Sequence, residues 1–330
     1  MLRLPGAWMW DFWLADDGRR YHLFFLFASR ALQDERRRHL RAGIGHAVSE
    51  DLRTWVQVGD ALVAAEPPAF DDVATWTGSV VRGRDRWWLF YTGVAVVDGE
   101  PHQTIGAATS ADLDVWHKRS TSPLVTADAR WYERRGSGTW YEEAWRDPWV
   151  FPDPGGDGWH MLTTARANHG PGDDRGVVGH AVSPDLERWE VKPPLSQPGR
   201  GFGHLEVPQL GSVDGRLVLL FSCLDTHLTA ARRVPGTTGG VWYVPADSPT
   251  GPFDVAAARQ LTDDSLYCGR VVHDRSGRSV LLAFRYYDQA REFVGELTDP
   301  IPVAWANGEL TMVDRVEARD GRTSGPGACV

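Results

Sequence analysis

The chain has 330 residues, 42% of them apolar and 24% charged, with a net charge of −9 and three cysteines. This is the make-up of a soluble globular protein with a large core, and the negative balance excludes a broad electrostatic hold on nucleic acid or an anionic membrane. Cys223, Cys268 and Cys329 are too few and too scattered for a disulfide framework or a zinc site, and no apolar stretch approaches the ~20 residues that a membrane helix needs.

In chain order, the first feature is the aromatic run Trp8-Met9-Trp10-Asp11-Phe12-Trp13. It begins so early that it leaves no room for a secretory leader, which sets a cytoplasmic location as the expectation. A strand-like run at 21–25 follows, then a polar insertion at 29–41, then Gly45-His46-Ala47-Val48-Ser49-Glu50-Asp51-Leu52-Arg53-Thr54-Trp55. That last segment returns at 106–116 and 179–189, with starts 61 and 73 residues apart (106−45, 179−106). Each copy reads as a strand running into a Ser-x-Asp-Leu turn, whose Ser and Asp side chains bond nearby backbone N–H groups. The Trp that ends each copy packs back on its unit. A degenerate fourth copy lies at 242–253, with Ser248-Pro249-Thr250-Gly251-Pro252 as its turn, and a fifth unit is built from 266–272, 280–286 and 293–297. Short β-rich runs separated by Asp-Gly, Gly-Arg and Pro-Gly turns, without a long helical period, predict an all-β chain. Units of about four short strands repeated radially make a β-propeller, and five fit the length. Insertions at 29–41, 127–143 and 225–240 fall where loops on one face would wall a pocket, and no break in composition divides 1–330 into two domains.

Acidic residues recur at matching places in these units. Asp11, Asp147 in Arg146-Asp147-Pro148-Trp149-Val150-Phe151, and Glu206 in His204-Leu205-Glu206-Val207-Pro208 precede strand-like runs by 10, 12 and 11 residues (21−11, 159−147, 217−206). In a radial fold equal phase brings all three to one centre. Converging carboxylates on a rigid scaffold are the equipment of glycoside hydrolysis.

These motifs carry a family resemblance over roughly residues 8–300. The chain resembles glycoside hydrolase clan J, the five-bladed β-fructosidase families 32 and 68. Trp10-Asp11-Phe12-Trp13 is similar to the family 68 nucleophile segment and departs from the family 32 form, which has Asn before the Asp and Pro-Asn after it. The segment from Gly45 to Trp55 resembles the end of the first family 32 blade, and Trp76-Thr77-Gly78-Ser79-Val80-Val81 with Leu89-Phe90-Tyr91-Thr92-Gly93 resembles the second. Arg146-Asp147-Pro148 matches an element shared by both families, and Glu206-Val207-Pro208 is similar to the acid/base motif, with Val207 in place of Cys. The expected fold is the propeller without the C-terminal β-sandwich usual in family 32. The related family 43 shares the propeller, generally without the Arg before its third-blade Asp.

The resemblance implies a retaining enzyme that cleaves, or transfers from, a β-fructofuranoside or similar furanoside. Asp11 would be the nucleophile, Glu206 the acid/base, and Asp147 would bind sugar hydroxyls and favour the oxocarbenium-like transition state. Two nearby carboxylates resist joint ionisation, so Glu206 is expected to titrate above Asp11. Around them Trp10, Trp13, Trp76, Ser79, Arg146 and His204 are the candidate substrate contacts, the indoles as stacking platforms for a sugar ring. Arg146 either orients Asp147 or touches substrate. His204 either tunes Glu206 or is a bonded structural histidine, and His39 is equally open. Trp55, Trp116 and Trp189 belong to the core, as does Cys268 by its small apolar character, while Arg270 and Arg285 either line the pocket or, by default, form ion pairs. No metal or cofactor motif is present, so the expected partner is a small carbohydrate alone. Two other readings remain: an inverting α-L-arabinofuranosidase or β-xylosidase like those of family 43, and a sugar-binding propeller without activity.

Overall fold

The computed structural model describes residues 1–313; Cys329 and the end of the expected 1–330 domain lie outside them. Five antiparallel sheets account for nearly all of the regular structure. Blade 1 is β1 (Ala7–Asp16), β2 (Tyr21–Ser29), β3 (Gly43–Ser49) and β4 (Val56–Leu62). Blade 2 is β5 (Ala74–Arg82), β6 (Trp87–Val97), β7 (Glu100–Ser110) and β8 (His117–Lys118). Blade 3 is β9 (Trp145–Pro152), β10 (Trp159–Arg166), β11 (Gly176–Ser183) and β12 (Glu190–Lys192). Blade 4 is β13 (Glu206–Val213), β14 (Arg216–Cys223), β15 (Gly240–Pro245) and β16 (Arg259–Gln260). Blade 5 is β17 (Leu266–His273), β18 (Ser279–Tyr287), β19 (Phe293–Leu297), β20 (Ile301–Ala306) and β21 (Glu309–Met312). Both β19 and β20 pair with β18, so its third strand is split, and a bridge from Leu2 to Leu297 ties the start of the chain to this last blade. The chain is a five-bladed β-propeller.

Strand alternation builds the packing between blades. Side chains of successive residues leave a sheet on opposite faces, so one strand feeds two cores. Trp88 and Phe90 pack toward blade 3, while Leu89 and Tyr91 join the cluster of blades 1 and 5. Leu219 and Phe221 pack with blade 3 residues, while Val218 and Leu220 pack with blade 5. The β-rich runs that lack polar alternation in sequence are therefore buried on both faces, as central propeller strands must be.

The repeated turn forms as its sequence requires. Ser49, Ser110 and Ser183 each donate a hydroxyl to the Asp two residues on, at 3.0, 3.0 and 3.4 Å. Those Asp side chains accept two backbone N–H groups each from the residues that follow. Leu52, Leu113 and Leu186 then take positive φ of 62°, 71° and 69° to complete the reversal, and the indole N–H of Trp116 and Trp189 closes onto the Leu carbonyl at 3.0 and 3.1 Å. Among the described residues no helix is long and apolar enough to cross a membrane.

Candidate active site

The innermost strand of every blade is interrupted at the same end. The antiparallel register breaks between Trp10 and Phe12 in β1, Trp76 and Gly78 in β5, Arg146 and Trp149 in β9, Glu206 and Gln209 in β13, and Tyr267 and Arg270 in β17. Such bulges leave residues unpaired and re-aim their side chains. The residues just before the breaks, Trp10, Trp76, Arg146, Glu206 and Tyr267, all line one cavity of about 300 Å³. The next residues in each strand are Asp11, Thr77, Asp147, Val207 and Cys268, of which the first four line the same cavity.

Three of these bulge residues, Asp147, Val207 and Cys268, hold positive φ of 58°, 49° and 50°, a backbone that costs an L-residue roughly 1–2 kcal/mol. Each is held there by the preceding blade. The N–H groups of Asp147, Val207 and Cys268 donate to the hydroxyls of Thr92, Thr164 and Ser222 at 2.9, 3.1 and 3.0 Å. These hydroxyls occupy matching positions on β6, β10 and β14, opposite Trp76, Arg146 and Glu206.

Asp11, Asp147 and Glu206 thus meet in one cavity, but the equal phase expected of them holds for two. Asp11 and Asp147 are bulge residues, whereas Glu206 stands one place earlier, in register with Arg146. It still reaches the cavity because the register break follows directly after it. All three insertions contribute walls, through Arg38 and His39, Tyr141 and Glu142, and His227.

The electrostatic order is the reverse of the one expected. Asp11 is raised to about 7, chiefly by burial and by the neighbouring Asp147, with the Thr77 hydroxyl donated at 2.6 Å and the Arg270 charge opposing. Asp147 is raised too, by burial, with Arg146, the Thr164 hydroxyl at 2.7 Å and the Val207 N–H at 3.2 Å opposing. For Glu206 burial pulls upward but is outweighed, and the carboxyl is held far below its ordinary range by His204, Arg146 and Tyr267 around it. His204 is itself driven well below its usual range by burial, so it is uncharged near neutral pH and Arg146 is the cation that counts. Arg146 donates to Glu206 at 2.7 Å and to Glu142 at 2.9 Å, and its Nε lies 3.6 Å from Asp147. The Tyr267 hydroxyl donates to the other Glu206 oxygen.

Several candidate contacts lie elsewhere. Trp13 is fully buried and stacked on Phe24, because it leaves β1 beyond the bulge and toward the core. Ser79 accepts the Val150 N–H at 3.0 Å and so fastens blade 2 to blade 3. His204 is buried behind the cavity, bridging Arg146 at 3.1 Å and His227 at 2.8 Å. Trp10 and Trp76 do line the cavity, flanking His39, to whose carbonyl Trp76 donates at 2.7 Å. Cys268 is buried, and Arg285 pairs with Glu296 at 3.3 Å. Thr77, Tyr267 and Tyr286 escape the sequence reading, although Thr77 stands at the bulge position of Asp11 and Tyr267 one place before its bulge, in register with Glu206, so both carry a readable phase signal.

The model of the glycosyl hydrolases family 32 N-terminal domain matches residues 13–292. The chain belongs to this family. It is therefore a glycoside hydrolase, and the match starts two residues after Asp11. An extracellular sucrase of Zymomonas mobilis is 24% identical over 96% of this chain and 84% of its own length. A sucrose-6-phosphate hydrolase of Bacillus subtilis is 28% identical over 61% of this chain and 38% of its own. Among solved structures, an inulosucrase from Halalkalicoccus jeotgali bound to kestose superposes with a TM-score of 0.74 at 23% identity, covering 94% of this chain and 87% of that one. A thermostable family-43 glycoside hydrolase superposes at 0.65 with 15% identity, covering 98% and 96%. The extracellular relative overturns the cytoplasmic location expected from the early start of the first strand.

Proposed function

We propose that this glycoside hydrolase is a retaining fructosidase that cleaves, or transfers from, a small β-fructofuranoside such as sucrose. The observation that carries the reading is the meeting of Asp11, Asp147 and Glu206 in one cavity. Names of relatives that include a sucrase and a sucrose-6-phosphate hydrolase support the substrate class. Asp11 attacks the anomeric carbon, Glu206 protonates the departing oxygen and then activates water, and Asp147 accepts sugar hydroxyls. The covalent route requires the two reacting carboxyls to stand about 5–5.5 Å apart.

The competent site carries one proton over the Asp11–Glu206 pair, and the two titrate as a unit. In the empty site that proton rests on Asp11 up to about pH 7. Catalysis needs it on Glu206, beside the leaving oxygen, and the bound glycoside favours the transfer by offering Glu206 a hydrogen-bond acceptor. Activity at low substrate should fall above about pH 7 as the shared proton is lost. Its acid limb should lie far below the ordinary Glu range, where the second proton arrives. Sucrose turnover by wild type and Asp11→Asn tests the reading: loss of turnover with sugar binding kept supports it, and turnover surviving in the variant refutes it.

A further inference from the structure

We infer that Arg270 is a positioning residue that sets the spacing of the two reacting carboxyls, an inference that rests on the roles proposed for Asp11 and Glu206. Arg270 leaves β17 two residues after its bulge and is 2% exposed. Its Nε donates to the carbonyl of Phe12 at 3.1 Å, and one terminal nitrogen donates to the carbonyls of Val207 and Pro208, both at 2.9 Å. Phe12 follows Asp11, and Val207 and Pro208 follow Glu206. One rigid guanidinium therefore spans from blade 5 to the backbone just behind each reacting side chain, on blades 1 and 4. The same strand adds a second tie, with Gln209 and Val271 exchanging side chain and backbone bonds at 2.7 and 2.9 Å.

Two facts set Arg270 apart from an ordinary structural arginine. Among the described residues no carboxylate forms an ion pair with it, so its charge acts on carbonyl dipoles, on the Trp149 ring 5.3 Å away and on the field around the cavity floor. That charge also acts on Asp11. Asp11 is faced by Thr77 from blade 2, Asp147 from blade 3, Glu206 from blade 4, and Cys268 and Arg270 from blade 5; Arg38 approaches from the insertion after β2. Arg270 favours ionised Asp11 from blade 5, and Arg38 does so from the insertion after β2. A planar fork holds several acceptors at fixed angles in a way that an ammonium does not. A displacement of about 1 Å between reacting groups is enough to cost about 10²-fold in rate.

The test compares Arg270→Lys and Arg270→Met with wild type, using far-UV circular dichroism, a thermal melt and sucrose kinetics over pH. Both variants should lose kcat by about 10²-fold with KM changed far less. The limb of kcat/KM near pH 7 should move to higher pH in Arg270→Met, because removing the cation raises Asp11 further, and should stay in place in Arg270→Lys. A folded Arg270→Met with wild-type kcat and an unmoved limb overturns the inference, as does wild-type kcat in Arg270→Lys. If neither variant folds, Arg270 is a folding residue and the inference is likewise overturned. Asp11→Asn keeps the two readings apart: turnover surviving there refutes the nucleophile, whereas its loss beside unaffected Arg270 variants refutes only the positioning role.

Discussion

Blades 1 and 4 place a carboxyl in the same cavity and treat it in opposite ways. Asp11, on blade 1, meets one hydroxyl, two other carboxyls and only the field of Arg270, and burial raises it to about 7. Glu206, on blade 4, is desolvated as well, yet Arg146 and Tyr267 bind its two oxygens and keep it ionised. Burial is thus common to both, and the difference comes from which residue the neighbouring blade supplies at the matching register position. Blade 2 offers Thr77 to Asp11, whereas blades 3 and 5 offer Arg146 and Tyr267 to Glu206. Protonation is written into the order of blades around the axis.

The largest effect should come from removing the blade 1 carboxyl. Asp11→Asn should lower sucrose turnover by more than about 10⁴-fold. It should also stabilise the fold at high pH. A carboxyl whose folded value is raised favours folding while protonated and opposes it once ionised, so wild-type stability should decline as pH climbs from about 4 toward 7. The variant should melt above wild type at pH 8, with the gap closing below pH 4. An equal gap at both pH values would mean that Asp11 is not perturbed as described.

Arg146→Met probes the other side of the comparison. Without its cation Glu206 is left to burial, so its acid limb should move to higher pH while kcat falls about 10²–10³-fold. An acid limb that stays in place would show that Arg146 is not what holds Glu206 ionised. Tyr267→Phe removes one hydrogen bond to the same carboxylate and should shift the limb in the same direction, with a loss of about tenfold. A limb that moves the other way would contradict the assignment.

These pairings explain what the sequence did and did not disclose. The blades were legible because Ser49-Glu50-Asp51-Leu52 and its two recurrences are local turns, closed by bonds within a few residues. The meeting of Asp11 and Asp147 was legible from their equal phase, whereas Glu206 joins them from one place earlier in its strand. The titration order was not, because Arg146 and Tyr267 reach Glu206 across blade boundaries 60 and 61 residues away in the chain. Trp13 and Ser79 misled for the opposite reason: each lies next to a site motif in sequence, but strand alternation turns one into the core and the other toward β9. Ser79→Ala should therefore be the mildest of these changes, leaving KM intact and costing about 1–3 kcal/mol of stability by orphaning the Val150 N–H. A raised KM with an unchanged melting temperature would return Ser79 to the substrate.

The most direct test of the central claim is the stereochemistry of transfer to methanol, which traps the configuration at the anomeric carbon before it can equilibrate. Carbon NMR of sucrose cleavage in aqueous methanol should show methyl β-fructofuranoside, the product of two displacements through a fructosyl ester on Asp11. Formation of the α-anomer would mean a single displacement by an activated acceptor, with the carboxyls about 6.5–9.5 Å apart, and would contradict Asp11 as the nucleophile.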